Sequence, residues 1–143
     1  MKSVVQSFAA AVLLSACLAG GATAAGLEAR VSLSKQVMTV KKGNQVLYRW
    51  PVSTARKGYV TPRGRWKPTR MHRMWRSRKY DMSPMPFSIF YHRGYAIHGT
   101  YAVKSLGRRA SHGCVRLHPD NAAKLYSLIK EIGPANTLVV VTD

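Results

Sequence analysis

From Ala29 onward, apolar and polar residues alternate in short runs. Arg30-Val31-Ser32-Leu33-Ser34, Val37-Met38-Thr39-Val40 and Val46-Leu47-Tyr48-Arg49-Trp50 carry apolar side chains at alternate positions, the period of a strand buried on one face. Lys42-Gly43-Asn44 separates the last two and marks a hairpin turn, and Pro51 ends the third run or holds it at a sheet edge. Phe87–Tyr91 and Tyr95–His98 flank Arg93-Gly94 as a second hairpin. Val115-Arg116-Leu117 is a short strand, and Thr137–Val141, almost wholly apolar, reads as a central one. Only after Pro119 does the period change. Ala122, Leu125, Tyr126 and Ile129 recur at helical spacing, Asp120 lies at the positive end, and Gly133-Pro134 stops the run. The pattern predicts a mainly β domain with one principal helix over about 119–132.

The first 24 residues have a different pattern. A basic start at Lys2, an apolar stretch from Val4 to Leu18 and a small-residue site at Ala22-Thr23-Ala24 are the three parts of an export signal, leaving 25–143 as one domain. Leu14-Ser15-Ala16-Cys17 offers a second processing route, in which Cys17 becomes lipidated and anchors the protein to a membrane. Either route predicts residence in the periplasm or cell envelope.

Charge takes its meaning from that compartment. The 143 residues hold 23 Lys and Arg against 5 Asp and Glu, a net charge of +18, which suits a polyanionic partner. Outside the cytosol the polyanions are envelope polymers and lipid phosphates, and nucleic acid drops out. The five carboxylates, Glu28, Asp81, Asp120, Glu131 and Asp143, are scattered singly, which excludes a two-carboxylate glycosidase. Ten of the cations fall between Arg56 and Lys79 with no acid among them. Poor periodicity there predicts a strand near Gly64–Trp66 followed by a long loop, either a solvated surface or a basic flap over a site for an anionic wall fragment.

With Cys17 removed or acylated, Cys114 is the one free thiol of an exported chain. Its surroundings are Ile97-His98-Gly99-Thr100 and Ser111-His112-Gly113-Cys114-Val115-Arg116-Leu117. A thiol attacks only as thiolate and needs an adjacent base. His98, from a separate run, can be brought to the sulfur by the fold. Gly113 permits a tight turn in which backbone amides converge as an oxyanion hole, and the carbonyl of Gly99 is a candidate to orient the imidazole. These residues point to acyl transfer through a cysteine. A zinc set of His98, His112, Cys114 and His118 is the rival, with spacings that fit no common zinc frame.

His98-Gly99 and Ser111-His112-Gly113-Cys114-Val115-Arg116 resemble the signature of the L,D-transpeptidase (YkuD-type) catalytic domain. Pro51-Val52-Ser53-Thr54, Thr61-Pro62-Arg63-Gly64 and Met85-Pro86-Phe87 extend the resemblance over about 30–143, with Ala55 where the family has glycine. It implies a mixed β-sandwich, Cys114 as nucleophile and His98 as general base. It also implies orientation by Gly99, an oxyanion hole from the amides around His112, Gly113 and Cys114, and a pocket shaped by Ser111, His112 and Arg116. The implied substrate is a peptidoglycan tetrapeptide stem, cross-linked through its third residue or joined to a wall-attached protein, with no metal or cofactor. Hydrolysis of the same thioester, as an L,D-carboxypeptidase or amidase, is the alternative; a basic wall-binding protein with an idle cysteine is a third reading.

Overall fold

Strands β1 (Leu27–Ser32) and β2 (Val37–Lys42) pair antiparallel, and β2 continues through the Gly43-Asn44 turn into β3 (Gln45–Pro51). The computed structural model describes residues 25–143, so the export signal expected over 1–24 and Cys17 lie outside the described residues. Strand β1 starts earlier than its alternation suggested and stops at Ser32, where Leu33 turns away with its amide on the Thr142 carbonyl. After β3 come β4 (Gly64–Trp66), β5 (Arg70–Ser77), β6 (Ser83–His92), β7 (Tyr95–Gly99), β8 (Val115–Leu117), helix α1 (Pro119–Ile132) and β9 (Thr137–Thr142).

Two mixed sheets result. One runs β3-β2-β1-β9-β4, with β1 and β9 parallel; the other runs β5-β6-β7-β8, with β7 and β8 parallel. Leu27, Ala29 and Val31 of β1 and Met38 and Val40 of β2 turn into one core with Ile89, Ile97 and Val115 of the second sheet and Ala122, Leu125 and Ile129 of α1. The mixed sandwich with one main helix is therefore observed. Pro51 lies on the edge strand β3, and β9 is internal. The helix takes Pro119 in its first turn, and its preceding residue His118 accepts the Asp120 amide on its ring nitrogen.

The sheets are joined by the chain that leaves β3. Val52–Ala55 crosses over, Ser53 bridges Arg116 and Ala55 bridges Ser111, adding two short pairings beyond β8. Gln36 holds this crossover, its side-chain amide bonded to the Thr54 hydroxyl at 2.6 Å and its carbonyl to the Thr54 amide at 3.0 Å.

The long loop expected after Trp66 is not a loop. Arg70–Ser77 forms the edge strand β5, antiparallel to β6, and the hairpin closes through a 3₁₀ turn at Arg78–Tyr80 with left-handed Asp81 and Met82. Its alternation is masked because Phe87, opposite Arg73, has φ of 53° inside β6 and interrupts the pleat. Trp75 and Arg70 thereby share one side of the strand, and no unbroken period of two survives in the sequence.

Candidate active site

The register of the second sheet arranges side chains in rows across it. Arg70 faces Phe90 and Phe90 faces Ala96, while Ala96 precedes Ile97, the partner of Val115, and so stands beside Cys114. The next row on this side holds His72, Ser88, His98 and Arg116, the last two being register partners. Ile89, Ile97 and Val115 project oppositely, into the main core. The sheet thus separates the core from a cavity of about 660 Å³ that contains His98, Cys114 and Arg116. Trp75, Met85, Phe90 and Tyr95 line one wall, and Thr100–Ala102 and the Ser77–Tyr80 tip form the rim.

His98 is buried, and its Nδ1 lies 2.7 Å from the Gly99 carbonyl, so Nδ1 carries the proton and Nε2 is left with its lone pair. Gly99 is required by packing as well: a Cβ there would meet the Pro86 ring at 3.0 Å and the Pro119 backbone at 3.1 Å. Burial, with the charge of Arg116 adding to it, pushes His98 down to about 4 against the opposing bond to Gly99. Burial pushes the Cys114 thiol up, and an Ala96 amide and Arg116 only partly offset this. The pair therefore rests as thiol and neutral imidazole, which suits proton transfer during attack rather than a standing ion pair.

The turn before Cys114 is braced from three directions. Ser111 is fully buried; its hydroxyl donates to the Cys114 carbonyl at 2.6 Å and accepts the Gly113 amide at 3.0 Å. Thr61 donates to the Gly113 carbonyl at 2.8 Å while accepting the Ala55 amide at 3.0 Å. Gly113 has φ of +135°, and a Cβ on it would come within 2.7 Å of both the Tyr95 ring and the Val60 carbonyl. These bonds alter two expectations. The Ser111 hydroxyl is spent on the turn, and the Gly113 amide is already engaged by it.

His112 is placed at the cavity rim, its ring stacked on Tyr80 at 4.1 Å with Tyr59 edge-on at 4.7 Å. Its pKa is lowered, first by burial and then by Arg56, Arg116 and Lys79. Arg116 is half-buried beside the thiol, and no carboxylate pairs with it among the described residues. His118 is taken up in capping α1, and among the described residues no three His, Cys, Asp or Glu side chains gather as ligands. Tyr59, Tyr80, Tyr95, Arg70 and Thr61 join the site without having been singled out as site residues in the sequence. Thr61 left a trace in the Thr61-Pro62-Arg63-Gly64 stretch, and Tyr59 and Arg70 fall within the basic 56–79 stretch that reads as a solvated surface or a flap.

The model of the YkuD family, the L,D-transpeptidase catalytic domain, matches residues 28–141. The L,D-transpeptidase-type protein YqjB of Bacillus subtilis (strain 168) is 41% identical over 51 residues, 36% of this chain and 27% of that one. An L,D-transpeptidase structure from Stackebrandtia nassauensis superposes with a TM-score of 0.72 at 28% identity, over 82% of this chain and 56% of that one. L,D-transpeptidase 3 of Mycobacterium tuberculosis, solved with a faropenem-derived adduct, gives 0.69 at 20% identity, over 83% and 61%. The chain thus spans little more than half the length of these structures and about a quarter of the curated relative.

Proposed function

Because the chain belongs to the YkuD family of L,D-transpeptidase catalytic domains, we propose that it is an exported acyltransferase acting on peptidoglycan stem peptides. The observation that carries this reading is the sharing of one cavity by Cys114, Arg116 and a His98 whose Nδ1 is held by the Gly99 carbonyl at 2.7 Å. In the donor half-reaction His98 Nε2 takes the Cys114 proton as the sulfur attacks the carbonyl of the stem's third residue. The His112 and Cys114 amides stabilise the oxyanion. His98 then returns the proton to the departing amine, releasing D-alanine and leaving a thioester. An acceptor amine, of a second stem or of a wall-attached protein, attacks the thioester while His98 takes its proton, and the thiol is restored. Arg116 pairs with a carboxylate of the donor beside the thiol. The basic outer surface holds the protein to anionic envelope polymers.

The test is incubation of the 25–143 domain with purified disaccharide-tetrapeptide, followed by mass spectrometry. Cross-linked dimers lacking one D-alanine, absent with Cys114→Ala, are expected. Tripeptide as sole product would replace the transferase by an L,D-carboxypeptidase. Equal turnover by Cys114→Ala would overturn the cysteine mechanism.

A further inference from the structure

Four cations line the cavity, Arg70, Arg78, Lys79 and Arg116, and no Asp or Glu does. Arg78 and Lys79 belong to the hairpin tip, and Arg116 adjoins the thiol. Arg70 is different. Its guanidinium lies 4.0 Å from the centre of the Phe90 ring and 4.8 Å from that of Trp75, so two rings from the cavity wall hold it. A guanidinium settled on aromatic faces keeps its N–H edges free and loses little freedom when an anion arrives. Among the described residues it has no carboxylate partner.

Arg70 also stands in the same row as Cys114, across Phe90 and Ala96. The guanidinium lies back over Phe90, so along this row the small side chain of Ala96 is what separates it from the sulfur's strand, with Met85 packed beside Phe90 and Ala96. That gap is about two strand spacings of ~4.8 Å each. A diamino-acid side chain lying over Ala96 fits it, with about six bonds of ~1.5 Å between reacting carbonyl and terminal carboxylate. A short or uncharged side chain would leave Arg70 unanswered, and one ending only in an ammonium would meet a like charge.

Resting on the stem-peptide reading above, we propose that Arg70 is a carboxylate-binding residue that selects acyl donors whose third residue ends in a free carboxylate, rather than in a carboxamide or a lone amine. Donor recognition is then two-pointed. Arg116 takes the carboxylate nearest the scissile bond, and Arg70 takes the one at the end of the third side chain.

Two tetrapeptide donors differing only in that carboxylate, free or amidated, test the assignment. Binding is measured by calorimetry on Cys114→Ala, and D-alanine release on the protein with its cysteine. The free acid is expected to bind about tenfold or more tightly, with the advantage expressed in KM. Adding Arg70→Gln should shrink the ratio to about twofold or less, and Arg70→Lys should recover part of it, since the charge returns without the bidentate fork. Equal binding of the two donors, or a ratio that Arg70→Gln leaves intact, would overturn the proposal. Discrimination in binding without D-alanine release from either donor sustains the Arg70 assignment and overturns the acyl-transfer reading instead.

Discussion

The imidazole of His98 stays uncharged well below neutrality because burial penalises its charged form and Arg116 repels it. Its pKa in the fold is about 4, against about 6.5 in an unfolded chain. A base that is depressed in this way remains competent in mild acid. The acid limb of kcat/KM should fall near pH 4 to 5, measured as D-alanine release across pH 4 to 8; a midpoint near 6.5 would contradict the buried, neutral state. Stability follows the same shift. It is full above about pH 6.5 and falls as the pH drops towards 4, the total loss from His98 being about 3 kcal/mol. Gly113 is constrained differently, by positive φ and by two contacts at 2.7 Å. Gly113→Ala should cost about 3 kcal/mol in thermal unfolding and reduce turnover, since the backbone shift displaces Cys114 itself.

At the scale of elements, the turn carrying Cys114 depends on side chains from segments remote in sequence. Thr61 bonds to Gly113 and Ala55 at once, so Thr61→Val keeps the shape, removes two buried hydrogen bonds and should cost about 2 kcal/mol by denaturant titration, with a fall in kcat. The helix and both hairpins were legible because their signals are local: a period, a turn pair, a capping proline; the short run around one thiol pointed to Cys114 and His98, and both line the cavity. Arg70 and Tyr80 were not. Their places depend on the register of β5 against β6 and on a kink at Phe87, and both are decided by packing between segments rather than within one. The strand β5 was hidden for the same reason, and its cations suit its edge position, where like charge discourages pairing with a second molecule.

Over the whole chain the net charge is +18, and among the described residues carboxylates pair with Lys or Arg only at Glu28–Arg30 and Asp143–Arg63. Attraction of that kind is screened beyond about 10 Å at 0.1 M salt. Co-sedimentation of the 25–143 domain with purified anionic wall polymer should be strong in low salt and largely lost by about 0.5 M. Replacing Arg63, Arg65, Arg73 and Arg76 by Gln should weaken it at low salt. Turnover of a soluble stem peptide should change far less, because none of these four residues lines the cavity. The parallel pairing of β1 with β9 joins Leu27 to Thr137 and so spans nearly the entire domain. A chain emerging from its amino end cannot complete the first sheet until its last strand is free, and loop closure on that length is slow. The second sheet, whose strands follow one another more closely in the chain, is free to form before that closure, and the two halves of the core then meet across β1 and β9.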